Sequence, residues 1–313
     1  MNLDFVVYMV VNTLLVIAVA PFFVSLIKKV KAWTQGRSGP SVFQTYANLA
    51  KLLKKEVIYS PNASRIMRVT PYVNFGAILV ASLFVPLAFV PEPVGGIGNI
   101  ILFLYLLALG KFFMALSGLD AGSSFGGMGS SREMSISAII EPTTIIVFAA
   151  LAFVFKTLNI FTMFSVTSGS ATPVTPTLIL LGISLFIILI VETSRIPVDN
   201  PETHLELTMI HEGMILEQSG KNLALMELAS GIKLTLLMAL LINLVLPFGL
   251  GTTLTVVGVL LAAVLFMVKG IVLGGIIGIF ESSMSKMRFF RLPSLFAMAF
   301  FFSTLTIIIE VFA

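Results

Sequence analysis

The sequence predicts an all-α polytopic membrane protein built as a single integral-membrane domain, residues 1–313, and three observations predict it. The chain is 58% hydrophobic and only 11% charged, where soluble domains carry roughly 25% charged residues. Its mean hydropathy is +1.06. Eight apolar runs are each long enough to cross about 30 Å of hydrocarbon as a helix. They lie near 5–27, 72–90, 99–118, 135–155, 174–192, 231–249, 253–280 and 293–312.

The first run follows M-N-L-D-F-V-V, which lacks the basic segment of a cleaved signal peptide, and the run is too long for one; it reads as a retained span. The sixth and seventh are joined by the short glycine-bearing turn Phe248–Thr252. The seventh is long enough to tilt.

Lysine and arginine are distributed very unevenly between the connectors. Connectors 28–71, 119–134, 193–230 and 281–292 hold nine, one, two and three of them, whereas the opposite face holds only Lys156. The positive-inside bias then places these four connectors in the cytoplasm and both termini outside. The formal charge of +4 is thus a topology signal, with no implication of nucleic-acid binding. The chain has no cysteine and two histidines, so it offers no thiolates for an iron–sulfur cluster and a poor haem site. Any redox chemistry must come from partners.

The first connector opens on the turn cluster 35–40, Q-G-R-S-G-P. An amphipathic helix follows, with Val42, Tyr46, Leu49, Leu53 and Val57 on one stripe and Lys51, Lys54 and Lys55 at its far end. It suits either an anionic lipid surface or a cytoplasmic partner. The glycine-rich connector from Asp120 to Glu133 predicts tight turns. It lacks the lysine and the strand–helix context of a phosphate loop.

The connector from Glu192 to Glu227 concentrates seven of the fifteen acidic residues and both histidines. Asn200-Pro201 predicts a helix start. The helix would align Glu202 and Glu206, continue that face through Ile210, Gly213 and Glu217, and bring His204 and His211 to one face. The histidine spacing is not that of a zinc hydrolase, so hydrogen-bonded or proton-relaying histidines are expected and no metal site. Apolar neighbours such as Leu205, Ile210 and Met214 predict partial burial of the carboxylates, Glu212 among them. Burial raises and couples carboxylate pKa values, so such groups exchange protons near neutral pH.

Lys111, Glu141 and Lys269 lie inside apolar runs, where each would cost roughly 2.5–3.5 kcal/mol at a bilayer centre unless paired or facing water. Glu141 precedes Pro142, which removes a backbone donor and should open the helix locally. Glu192 closes the fifth run just before Arg195, and Lys233 lies near enough to an end to snorkel. Lys111, Glu141 and Glu192 are candidate ion-path residues; a static Lys111–Glu141 pair is the structural alternative.

Three ordered motifs carry a resemblance over nearly the whole chain. They are Q-G-R-S-G-P-S-V-F-Q-T-Y-A-N-L-A-K-L-L at 35–53; F-G-G-M-G-S-S-R-E-M at 125–134, followed by Glu141-Pro142; and E-T-S-R-I-P-V-D-N-P-E-T-H-L-E-L-T-M-I-H-E at 192–212. The chain resembles the membrane-arm linker subunit of respiratory complex I and of energy-converting, membrane-bound nickel–iron hydrogenases, with the greater likeness to the hydrogenase and formate hydrogenlyase branch. The resemblance implies a tilted helical bundle in the cell membrane with a cavity under a docked peripheral arm.

It also implies a role: a subunit with no catalysis of its own couples electron transfer in that arm to proton or sodium translocation. The implied partners are hydrogenase-like large and small subunits, a ferredoxin-like iron–sulfur subunit and antiporter-like membrane subunits. The iron–sulfur clusters and the nickel–iron centre would sit in those partners, with no cofactor in this chain.

By the same resemblance Glu141, Glu192, Glu206 and Glu217 match acidic channel positions, and Glu212 and Lys111 join them as ion-path candidates. Asp199 and Glu202 match an acidic cavity loop and Arg37 its basic counterpart. Arg195, His204 and His211 complete the coupling-loop set. Asn48 stands where many members carry aspartate, and His204 where quinone-using members carry an acid. A sulfur- or quinone-reducing relative, a passive membrane anchor and a stand-alone transporter are the alternative readings. The last would be expected to show internal repeats, and none is clear here.

Overall fold

The computed structural model describes residues 3–90, 98–169, 175–200, 209–251 and 256–312. Helices α1 (Leu3–Thr34), α2 (Gln44–Lys54), α3 (Arg65–Ser82), α4 (Ile100–Asp120), α5 (Ser124–Phe155) and α6 (Ile160–Gly169) form the first half. The second half holds α7 (Pro176–Glu192), α8 (His211–Ile215), α9 (Gly220–Val245), α10 (Val256–Ser283) and α11 (Leu292–Phe312). Among the described residues the only β pairing is two isolated bridges, Phe89 with Gly251 and Asn99 with Asn159.

Each of the eight apolar runs overlaps a helix, but among the described residues six helices are long and apolar enough to cross a membrane: α1, α4, α5, α9, α10 and α11. The run at 174–192 becomes the 17-residue apolar helix α7. The run at 72–90 is displaced: α3 starts at Arg65 and stops at Ser82, and residues 83–90 are a packed, non-helical strip. Pro86 explains the stop, because it has no N–H to return to the Ser82 carbonyl. Asn12 Nδ2 donates to that carbonyl at 2.8 Å and to Val85 O at 3.1 Å, while its Oδ1 accepts from Leu87 N at 3.0 Å. Asn243 Nδ2 satisfies Pro86 O at 2.9 Å. Irregular backbone at membrane depth survives only with such internal partners.

Helix ends are set locally. Ser64, Asn99, Ser123 and Thr175 cap α3, α4, α5 and α7, and Pro176 follows its cap directly. Asp120, ending α4, accepts from the backbone N–H groups of Ser64 and Met67 and so fastens the start of α3 to it. α9 is the central helix: 78% of its most apolar window is buried, against 28% for α11. α1, α3 and α7 pack around it, and α5 lies against α4, α7, α8 and α11.

Three local expectations are corrected. The glycine-rich stretch from Ser124 is helical and belongs to α5, apart from the turn before it. Its glycines serve close approach: a side chain on Gly129 would sit 2.8 Å from Ile210 O and 3.1 Å from Met214 N. α5 also runs unbroken past Pro142 to Phe155, with the Thr143 and Thr144 hydroxyls donating to Ile139 O and Ile140 O. In α2 the buried pair is Leu49 and Leu52, packed with Ala224 of α9, and Leu53 is exposed. The expected stripe thus keeps Leu49 and departs at Leu53, where Leu52 is buried instead, because α2 docks on α9 as well as on α1.

Candidate functional site

α7 ends in buried Glu192, and the chain then turns through Ser194, whose φ is +50°. This turn aims Arg195 at Glu281 near the end of α10, Nη1 to Oε1 2.6 Å, with Lys31 of α1 3.8 Å from Glu281 Oε2. Asp199 is buried and closes the loop. It bonds Lys286 Nζ at 2.6 Å and accepts from Ile210 N at 3.2 Å and His211 N at 3.1 Å. Arg132 of α5 donates to Met209 O at 2.9 Å, so the returning strand is held from both sides.

A cavity of about 180 Å³ opens above this loop. Among its lining residues are Lys28, Asn48, Arg195, Asp199, His211, Glu212, Glu227 and Glu281. Burial pushes the His211 imidazole below its ordinary value and the Glu212 carboxyl above its own. The two shifts bring the proton affinities of imidazole and carboxyl closer together than in the free side chains, which favours proton exchange between them.

Beneath the cavity lies a chamber of about 30 Å³ lined by Lys111, Glu133, Glu192, His211 and Lys233 with apolar neighbours. Here Glu192 is held from two sides, Oε1 by Lys111 Nζ at 2.9 Å and Oε2 by Lys233 Nζ at 2.7 Å. Cavity and chamber share Thr193, Ser194, His211 and Ser230. A third void, a groove of about 310 Å³ on the flank of the bundle, shares Leu107, Lys111 and Glu192 with the chamber and carries Glu141 at its rim. Glu141 is exposed.

The structure therefore brings Lys111, Glu141, Glu192, Arg195, Asp199, His211 and Glu212 to the walls of three neighbouring voids that share lining residues. The partner of Lys111 is Glu192 and not Glu141, and Lys233 is paired inside the protein instead of snorkelling to an interface. Arg37 is exposed and lies outside the cavity lining, and Glu217 follows α8 in a turn that lines none of the three voids. Glu202, His204 and Glu206, with the expected helix start at Asn200-Pro201, fall at or beyond the edge of the described residues. Lys269 is a cap for α9: its ammonium donates to Leu246 O at 2.7 Å and to Phe248 O.

Sequence reasoning missed Glu133, Glu227 and Glu281. Glu281 had a signal, a carboxylate at the end of a long apolar helix, whereas Glu133 sits in a glycine- and serine-rich stretch that gave none; the partners of Glu281 are distant in sequence. Among the described residues no cluster of three histidine or acidic side chains is placed to hold a metal ion.

Residues 6–312 match the family described as NADH dehydrogenase. The chain belongs to that family. It is 32% identical over 288 residues to hydrogenase-4 component C of Escherichia coli (strain K12), covering 91% of this chain and 89% of the relative. It is 31% identical over 287 residues to formate hydrogenlyase subunit 4 of the same strain, covering 90% and 91%. These relatives agree with the likeness that the three motifs carried. The fold matches a chain of the membrane-bound sulfane sulfur reductase, an archaeal respiratory membrane complex, with a TM-score of 0.79 at 19% identity, over 96% of this chain and 99% of that one. The NADH dehydrogenase family member described here is thus a multi-pass, complex I-like membrane protein.

Proposed function

We propose that this chain couples electron transfer in a docked, hydrogenase-like peripheral arm to translocation of a proton or sodium ion, and anchors that arm. The observation that carries the reading is the line of three neighbouring voids, linked by shared lining residues, from the Asp199–Lys286 loop, past the Glu192 ion triad, to the flank at Glu141. Buried charges are expensive in a bilayer, and a passive anchor has no need of a charged line through its centre. The kinship with hydrogenase-4 component C and formate hydrogenlyase subunit 4 supports a hydrogenase-type arm, with redox centres in its partners. In this mechanism a charge change beside the arm alters Asp199 and the His211–Glu212 pair, with Glu202 and Glu206 brought in by the family resemblance alone. Glu192 and its lysines respond, and Glu141 passes the ion to a neighbouring antiporter-like subunit.

The same reading takes eight crossings, with both termini outside and the connectors at 28–71, 119–134, 193–230 and 281–292 cytoplasmic. Because the chain lacks cysteine, single cysteines placed at either end report sidedness cleanly, and labelling from the cytoplasm would overturn this arrangement.

The test of coupling is purification of the complex through this chain, with hydrogen evolution from reduced ferredoxin and ion uptake measured in sealed vesicles. Glu141→Gln alters an exposed group, so assembly should survive. Hydrogen evolution should continue while ion uptake is lost. Wild-type uptake in an assembled Glu141→Gln complex removes Glu141 from the path, and wild-type uptake in Glu192→Gln as well leaves only the anchor.

A further inference from the structure

Glu133 sits on α5 with its side chain in the small chamber, 8% exposed, and makes no hydrogen bond or ion pair among the described residues. One turn to either side, the buried hydroxyls of Ser130 and Ser137 also find no partner there. Positions 130, 133, 137 and 141 follow the three- and four-residue spacing of one helix face. α5 therefore presents a polar stripe, running toward Glu141, that packing alone leaves unsatisfied. Buried polar groups of this kind normally find a partner.

The charges make Glu133 more than an orphan. Lys111 and Lys233 both rest on Glu192, so the triad carries one net positive charge in a buried place. Lys111 interacts electrostatically with Glu192, Glu133 and Glu141 alike, and it lines both the chamber and the groove. An ionised Glu133 makes the chamber neutral, whereas a protonated one leaves it at plus one. The chamber, at about 30 Å³, has room for about two water molecules at about 10–15 Å³ each. With two ammonium groups on its wall, it repels a metal cation and suits a proton.

We propose that Glu133 is the second seat of a lysine relay, in which the Lys111 ammonium moves between the Glu192 and Glu133 carboxylates as Glu133 loses and regains a proton. This rests on the coupling role proposed above. Lys111 stays protonated throughout. The geometry shows Lys111 resting on Glu192, the arrangement the relay assigns to protonated Glu133. When Glu133 releases its proton toward the groove, its carboxylate draws Lys111 across. A proton entering from the cavity side, past His211, neutralises Glu133 and returns Lys111. One proton enters and one leaves per cycle.

The groups facing Glu133 are Lys111 from α4, Glu192 from α7, His211 from α8 and Lys233 from α9, with Asp199 acting from the loop. α11, which also packs on α5, carries its one ionisable residue, Glu310, in its last turn. On α5 itself, Arg132 is turned to Met209 O and Glu141 lies at the groove rim.

The test is an infrared pH titration of the assembled complex, beside ion uptake in vesicles, for the parent, Glu133→Gln and Glu133→Asp. The parent should show a protonated-carboxyl band that titrates, is absent from Glu133→Gln and is shifted in frequency in Glu133→Asp. Uptake per turnover should be lost in Glu133→Gln and kept in Glu133→Asp. A band unchanged by either substitution overturns the relay. If Glu133→Gln fails to assemble, the Asp variant decides by the same band. Normal uptake in Glu133→Gln with loss in Glu141→Gln rejects the relay and leaves the coupling role standing. Normal uptake in both rejects the two together.

Discussion

Replacing Glu192 by glutamine removes the only carboxylate that, among the described residues, Lys111 and Lys233 hold within ion-pair distance. The three side chains are 5%, 9% and 15% exposed for Glu192, Lys111 and Lys233, so solvent does little to relieve the two ammoniums. Removing one partner of a buried pair costs about 3–5 kcal/mol. A lysine left unpaired can instead shed its proton, which at pH 7 costs about 4.6 kcal/mol from an ordinary pKa of about 10.4. The two routes agree on a ceiling near 5 kcal/mol, which corresponds to a drop in melting temperature on the order of 10 °C.

Hydrophobic replacement of a whole buried triad is commonly neutral or stabilising by about 1–4 kcal/mol. Lys111→Met, Glu192→Leu and Lys233→Met together should therefore restore most of the thermal stability and still abolish ion uptake. The assays are thermal denaturation of the detergent-purified complex and ion uptake in vesicles. A triple variant as labile as Glu192→Gln would refute the energetic reasoning. A triple variant that pumps would refute the functional one.

Three further outcomes follow from the geometry. Asp199→Ala removes the carboxylate that pairs with Lys286 and accepts from the Ile210 and His211 amides; it should cost about 3–5 kcal/mol and open the connector to limited proteolysis, so an unchanged digestion pattern would count against the loop-closing role. Gly129→Ala drives a methyl group into the backbone at Ile210 and Met214; overpacking of about 1–3 kcal/mol should lower the melting temperature and loosen the same connector, and hydrogen exchange at 209–214 would report it. For pH, the raised Glu212 carboxyl lets the folded protein hold a proton that the unfolded chain releases above about pH 4.3, so its contribution is full below that value and is lost as pH rises through the raised value. His211, lowered, acts in the opposite sense, and its contribution is lost as pH falls from about 6.5. The melting temperature of Glu212→Gln should thus gain on the parent as pH rises through the Glu212 window, and a difference that stays constant with pH would show that Glu212 does not titrate there.

Much of the frame was legible from local chemistry. Apolar runs of about twenty residues satisfy their backbone groups in a bilayer as helices, and among the described residues six helices are long and apolar enough to cross. The displaced end of α3 was not legible, because it depends on Asn12 and Asn243 reaching across to residues 82–87 from other helices. The glycines at 126–129 looked like a turn because glycine is permissive. Whether they bend or allow close packing depends on what stands opposite, here Gly118 of α4 and the Met209–Met214 backbone.

The candidate site divides along the same line. Sequence alone determined the class of protein, its family motifs and the concentration of carboxylates after Glu192, since composition and periodicity are properties of the chain. Only the tertiary structure decided that Lys111 meets a carboxylate 81 residues away, that Lys233 shares it, that Glu133 faces them unpartnered and that Arg37 and Glu217 stand apart. The physical reason is that an ion pair in a helical bundle is set by which helix faces meet and at what height, and those are fixed by packing around α9, not by the sequence near either charge.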